Sequence, residues 1–372
     1  MATISQKYSP AVNTSPYYGR QLRNFAIKAL ITLFVFLILF VYLLPMGNML
    51  LVSTYSQAML SKTPTSSIWP TEPVKFEHNG ELLPILKVPM EDGTVRELAM
   101  VKSTRRSATF IDPANPTTEI AWTGNWRTLE PVETFAPRFE NFRDAWELAN
   151  FPRLLRNTFF IAFVGMIGTL LSCIAVGYAF ARFPIPGKNT LFLVLIGTII
   201  LPSQVTLIPT YAFWSQVSAW SESMGLGKWG TGSLVPLILP HFFANAYNVF
   251  LLRQYFLTLP RELDEAAMID GAGPFGILLR VIIPQSWPAI LSVAVFHFVW
   301  AWNDFFGPLI YLLGNRELQP ISVGIQIFNF QFGPRPELVQ ATSLMAMLLP
   351  VLIFFLAQRV FMRGVVITGV EK

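Results

Sequence analysis

Apolar runs of about 20 residues recur along this chain. At about 1.5 Å per residue, each is long enough to cross the hydrocarbon core of a bilayer. Six are expected, at about Ala29–Leu50, Asn157–Ala181, Asn189–Ile208, Ser233–Phe256, Trp287–Leu309 and Val339–Phe361. Backbone amides in lipid must bond within their own segment, so each run is expected to be helical. Composition agrees: of 372 residues, 53% are hydrophobic and 13% charged, against about 25% charged in soluble domains. The expected fold class is an all-α membrane protein of six transmembrane helices. Pro45, Pro202, Pro236 and Pro240 lie inside or at the ends of these runs, where proline marks kinks or ends rather than breaks.

The formal charge of +5 is not gathered into one basic stripe, which excludes nucleic acid as a partner and leaves membrane lipid. Lysine and arginine instead orient the spans. Lys7, Arg20, Arg23 and Lys28 precede the first span, and Arg182 and Lys188 follow the second. Arg253, Arg261 and Arg280 flank the fourth-to-fifth connection, and Arg359, Arg363 and Lys372 end the chain. All four groups fall on one side of a six-span chain, so both termini are expected to be cytoplasmic. The tails would be 1–28 and 362–372, with the first transmembrane helix at 29–52. That helix is too long for a signal h-region and lacks a small-residue cleavage site. Cys173 is alone, which excludes an internal disulfide and a cysteine metal set, and it is expected to pack as a small apolar residue. No catalytic and no metal-binding residues are expected.

The loop 53–154 is the main irregularity. Extended pieces Glu81–Val88 and Val95–Lys102 flank Glu91-Asp92-Gly93, and Asp-Gly between extended runs signals a hairpin. Asn79-Gly80 suits a second tight turn, while Pro64, Pro70, Pro73, Pro113 and Pro116 argue against long helices. A small β-rich extracytoplasmic insertion is expected at about 60–130, followed by a short amphipathic helix over Pro137–Leu148. The remaining core of five transmembrane helices would occupy 155–361.

Residues 258–284, between the fourth and fifth runs, are built as a bracket. Thr258 is expected to cap a short helix, with Pro260 tolerated in its first turn. Glu262, Asp264 and Glu265 put negative charge near the positive end of that helix dipole. Ala266 and Ala267 give a low-profile surface, Gly271 can take the left-handed stop, and Pro274 restarts a second helix. Chemistry alone allows an ordinary amphipathic hairpin at the interface. The spacing is more specific: Glu265-Ala266-Ala267, Gly271 six residues after the glutamate, then Val281-Ile282-Ile283-Pro284.

That spacing resembles the cytoplasmic EAA loop of permease subunits in ATP-binding-cassette (ABC) importers, with Val281-Ile282-Ile283 in place of Ile-x-Leu. Gly177-Tyr178-Ala179-Phe180-Ala181-Arg182-Phe183 resembles the Y-A-F-A-R-F signature of the MalG-like carbohydrate-importer branch. Pro202 with Gln204–Pro209, Trp302-Asn303-Asp304-Phe305 with Pro308-Leu309, and the tail from Gln358 to Lys372 resemble further signatures of that branch. The tail departs at Glu371-Lys372, where the family has Lys-Gly. The resemblance covers about residues 20–55 and 131–372 and leaves the insertion outside.

The resemblance implies a type I importer (MetI-like) permease fold in a bacterial or archaeal cytoplasmic membrane. It implies a second related permease as heterodimer partner, two ATP-binding-cassette ATPase subunits and an extracytoplasmic sugar-binding protein. The implied function is translocation of a sugar or oligosaccharide, with Glu265, Ala266, Ala267, Asp270, Gly271 and Pro284 coupling to the ATPase. The chain has no G-x-x-x-x-G-K-[ST] phosphate loop, so ATP and Mg would be bound by the partner, and no cofactor is expected in this chain. Alternatives are an ABC permease for glycerol phosphate or a polyol, and an ATP-independent secondary transporter.

Polar residues at membrane depth are the candidate substrate path: Gln204, Asn245, Asn248, His297, Trp300, Asn303 and Asp304. His297 suits either an interhelical hydrogen bond or the wall of a path. Trp300 suits either interface anchoring or sugar stacking. The loop Gly314–Pro336 interleaves Asn315, Gln319, Asn329 and Gln331 with aromatics; the resemblance implies contact with the binding protein there, while the residues alone also fit a re-entrant loop.

Overall fold

A computed structural model of the protein describes residues 16–60, 67–90, 92–104, 106–331 and 333–366. The chain divides into two units, 1–51 and 52–372. The first unit contains nearly all of helix α1 (Pro16–Ser53), which runs through Pro45 without ending. Its large apolar side chains from Leu22 to Leu50 are exposed all round, as suits a helix solvated by lipid.

In the second unit the sheet comes first. Strands β1 (Thr71–Pro73) and β7 (Glu133–Phe135) pair antiparallel into a two-stranded neck. Between them lie β2 (Lys75–His78), β3 (Glu81–Pro89), β4 (Val95–Ser103), β5 (Ser107–Asp112) and β6 (Asn115–Thr123). These five form one antiparallel meander in chain order. The turns follow from local chemistry. Asn79 at φ 54° and Gly80 at φ 84° are both left-handed, as a two-residue primed turn requires. At the second hairpin, Asp92 accepts hydrogen bonds from the Thr94 hydroxyl and amide, and these hold its carboxyl below the usual range. Alternation buries Leu86, Val88, Leu98 and Phe110 on one face, and Ile85, Ala99 and Ile111 on the other.

Sequence reasoning located β3 and β4 to within a residue but did not anticipate β1, β2, β5, β6 and β7, the last of which lies beyond the expected end of the insertion at about 130. Pro113 and Pro116 had been read as helix breakers only. Pro113 lies in the β5–β6 connection and Pro116 near the start of β6, an edge strand, where the missing N–H costs no ladder bond. Residues 61–66 and Glu91 of the expected insertion lie outside the described residues.

Helix α2 (Glu140–Leu148) follows, three residues later than expected. Its buried Asn141 donates to the carbonyls of Ser53, at 2.8 Å, and Tyr55, at 2.9 Å. These bonds satisfy acceptors that a helix end leaves open.

Helix α3 (Phe151–Arg182) is the spine of the rest. Gly165 and Gly168 form a notch where a Cβ would come within 2.9 Å of His241 and 2.6 Å of Phe242. Gly177 meets Leu252 and the Arg253 amide in the same way. Small residues of this kind let helix backbones approach closely in lipid. Around α3 stand α4 (Lys188–Gly197), α5 (Ser203–Ser223), a stretch 235–258 ending in α6 (Ala246–Thr258), α7 (Glu262–Ile269), α8 (Pro274–Gln285), α9 (Trp287–Trp302), α10 (Phe306–Tyr311) and α11 (Pro336–Val366). One core joins α2, the start of α3, the end of α9 and the start of α11 around Leu154, Phe298, Trp302 and Leu338. A second joins the other half of α3 to α6, α8 and α9 around Val249, Phe256, Ile282 and Val293.

Among the described residues four helices are long and apolar enough to cross a membrane, or up to six if each of two bent pairs is one span. Three expected spans are not single helices. The third is interrupted at Leu201–Pro202, where Leu201 is extended at ψ 118°, the conformation that a following proline imposes. The fourth breaks at Ala244, a non-glycine residue at φ 60°. The fifth ends at Trp302 and restarts at Phe306, and at the restart Asp304 accepts from the Gly307 amide.

Gly230 offers a test of this packing. A Cβ there would fall 1.9 Å from the Trp214 carbonyl and 2.7 Å from the Ser218 amide, both backbone atoms, whereas one at Gly197 meets nothing within 4 Å. Gly230→Ala should cost on the order of 1–3 kcal/mol, read as a lower melting temperature of the detergent-solubilised protein. Gly197→Ala should melt like the wild type.

Candidate functional site

The bracket is held by α3. Arg182, in the last turn of α3, points its guanidinium at α7. Its Nε lies 2.8 Å from Asp264 Oδ2, with the two side chains only 7% and 10% exposed. Its Nη2 donates to the Leu259 carbonyl at 3.0 Å. One turn back, the Tyr178 hydroxyl donates to the Pro274 carbonyl at 3.2 Å. One helix end therefore grips the bracket before α7, within α7 and at the start of α8. The grip is incomplete: the Nε contact lacks hydrogen-bond alignment, and Asp264 Oδ1 has no hydrogen-bond partner.

Within the bracket, Gly271 is left-handed at φ 82° and ends α7. Glu262, Asp264 and Glu265 occupy the first turn. Glu265, Ala266, Asp270, Gly271 and Pro284 are exposed, and Ala267 is half-buried against the second core. Beside them Met268, Ile269 and Phe275 are exposed apolar side chains, at 58%, 88% and 71%. They form an apolar rim that sequence reasoning missed. Thr258 does not cap α7; it ends α6, donating to the Tyr255 carbonyl. Pro260 precedes α7 rather than joining its first turn, and the N-cap residue is Arg261, with no side-chain capping bond. The extended Leu259 separates the two helices.

The path residues divide. A cavity of about 1160 Å³ opens between α5, the 235–243 stretch, α9 and α10. Trp300, Asn303 and Asp304 line it. His297 does not. It is buried, 3.2 Å from the Thr169 hydroxyl and edge-on to His241 at 4.6 Å between centroids, the interhelical hydrogen bond of the two readings. His241 itself lines the cavity, and the sequence reading passed it over. Asn245 caps α6 by accepting from the Asn248 amide. Asn248 is buried, with its Oδ1 unpartnered, and neither asparagine reaches the cavity. The side chain of Gln204 lies outside the described residues.

In the loop after α10, Asn315 donates to the Gly232 carbonyl. Asn157 donates to the Gln319 carbonyl. Arg316 donates to Gln331 Oε1, and Asn329 to Gln326 Oε1. Asn329 and Gln331 are exposed, while Asn315 ties the loop to the rest of the unit.

A multi-helix membrane protein with a surface bracket tied to one spanning helix is the class these features define. The chain belongs to the family of binding-protein-dependent transport system inner membrane components, whose profile matches residues 168–366. The osmoprotective compounds uptake permease protein GgtD of Synechocystis sp. is 30% identical over 264 residues, 71% of this chain and 85% of that protein. The alpha-glucoside transport system permease protein AglG of Rhizobium meliloti is 30% identical over 64% of this chain and 62% of that protein. The sn-glycerol-3-phosphate transport system permease protein UgpE of Agrobacterium fabrum is 32% identical over 58% of this chain and 73% of that protein. A solved bacterial ABC transporter involved in the import of the acidic polysaccharide alginate shares the fold at a TM-score of 0.59 and 20% identity, covering 93% of this chain and 99% of that one. The fold is the MetI-like type I importer permease fold, mostly helical with a small sheet region.

Breaking a buried ion pair from one side costs about 3–5 kcal/mol. Arg182→Ala and Asp264→Ala should each destabilise the protein on that scale, and the double variant should cost clearly less than their sum. Thermal melting of the four proteins of this cycle measures the coupling.

Proposed function

We propose that this chain is the permease subunit of a binding-protein-dependent ABC importer that moves a sugar or oligosaccharide across a bacterial or archaeal cytoplasmic membrane. The observation that carries the proposal is the three-point grip of Tyr178 and Arg182 on the bracket. A bracket tied to a spanning helix transmits displacement; a loosely attached loop would absorb it. In this reading the exposed face of Glu265, Ala266, Asp270 and Gly271, with its apolar rim, docks on one of two ATPase subunits that bind ATP and Mg. A second related permease completes the pore, and an extracytoplasmic binding protein delivers the solute. With six spans and the basic flanks inside, this reading has both termini and the bracket in the cytoplasm and the 71–135 insertion outside.

The sugar reading draws on the alpha-glucoside relative and on the cavity, where flat aromatic faces stand beside polar groups. A glycerol phosphate permease is the second reading, favoured by the UgpE relative. It suits the cavity less, because phosphate recognition calls for arginine or lysine and neither is among the described residues that line it.

Gly271 tests the coupling. Its surroundings are open, but its φ of 82° is unfavourable for a side chain, at about 1–2 kcal/mol. Gly271→Val should leave the protein in the membrane and abolish ATP-driven uptake by the complex reconstituted with its co-purifying subunits. Uptake at the wild-type rate would count against the bracket as the coupling element.

A further inference from the structure

The cavity beside α9 combines features that do not belong together in a lipid-filled groove. Its walls are broad aromatic faces, among them Trp214, Trp300 and Tyr311. Set among them are the Thr210 and Tyr311 hydroxyls, bonded to each other at 2.9 Å, together with Asn303, His241 and Asp304. Among the described lining residues, Asp304 is the one side chain with a formal charge at neutral pH. Its Oδ1 accepts from the Gly307 amide at 3.3 Å, a contact at the start of α10, and among the described residues this is the hydrogen bond its side chain makes. A carboxylate facing hydrocarbon is costly, so this cavity has to hold water or a polar solute.

We propose that this cavity is a water-filled substrate chamber in which the carboxylate of Asp304 refuses anionic solutes, so that the cargo is an uncharged, polyhydroxylated molecule. Flat rings cover the C–H faces of a sugar and the polar groups meet its hydroxyls. Among the described lining residues no lysine or arginine offsets the carboxylate for a phosphate or a uronate. A negative group a few ångströms from Asp304, in a half-wet cavity, would be disfavoured on the order of tenfold relative to a positive one. The inference rests on the permease reading and narrows it: an acidic glycan, such as the one named for the solved alginate importer, and a sugar phosphate are both disfavoured.

The experiment reads the charge of the chamber without needing its cargo. In a Cys173→Ala background, single reporters Val299→Cys and Leu207→Cys are placed at the cavity wall. The assembled transporter in proteoliposomes is treated with methanethiosulfonate reagents carrying either a trimethylammonium or a sulfonate group. Each rate is normalised to that reagent's rate with 2-mercaptoethanol.

The expected result is labelling at both reporters, with the cationic reagent favoured about tenfold. That preference should collapse toward one in both Asp304→Asn and Asp304→Ser. Serine keeps an acceptor for the Gly307 amide, so the pair of variants separates lost charge from a disturbed helix start. Gel filtration of each variant confirms its assembly. No labelling by either reagent would mean a dry cavity filled by a partner helix. An even preference, an anionic one, or a preference unchanged by both variants would overturn the role of Asp304. Labelling needs no ATP, so it fails or succeeds independently of the Gly271→Val uptake test on which the permease reading depends.

Discussion

Arg182 and Asp264 face each other in a nearly water-free contact, and the mechanical logic of the molecule rests on that pair. Two charges removed from water are held only when their partners are fixed. Here the fixing is done by the last turn of α3 and the first turn of α7. The guanidinium also reaches the Leu259 carbonyl, and Tyr178 holds Pro274. Among the described residues, Arg182 Nε and Asp264 Oδ1 are both left without a hydrogen bond, so the contact is held by charge more than by alignment. A surface loop becomes in this way an extension of a spanning helix.

The same helix organises the other end of the bundle. The notch at Gly165 and Gly168 admits the Leu239–Phe243 turn, and that turn brings His241 both to His297 and to the cavity wall. The breaks at Ala244 and at Asn303–Phe305 are the cost of this arrangement. Interrupted backbone at membrane depth is tolerated where it is buried in protein or lines a wet cavity, and the break at Asn303–Phe305 borders the cavity. Cavity, broken helices and charged lining residue are one physical feature seen three ways.

Much of this was legible beforehand. The bracket was readable because each of its parts is local: an acidic first turn, small alanines, a glycine that must be left-handed and a proline that restarts the helix. The Asn79-Gly80 and Asp92-Gly93 turns were readable for the same reason. The roles of His297, Asn245 and Asn248 were not, because polar residues in apolar runs look alike until neighbouring helices are placed. His241 was passed over although it lies between Pro240 and Phe242 in the same run. The i, i+4 spacing of Tyr178 and Arg182 at a helix end was the available signal for the grip, but it does not name its partners.

The sequence by itself determined that the chain is a membrane protein rich in apolar helices and where its short bracket bends, since hydrophobic length and backbone preference act within a few turns. Tertiary structure alone decided which polar groups face a cavity and which carboxylate meets Arg182. Those outcomes depend on contacts between segments far apart in the chain: 82 positions separate Arg182 from Asp264 and 128 separate Thr169 from His297. Pairings at such range are chosen by packing and desolvation, which no local pattern encodes.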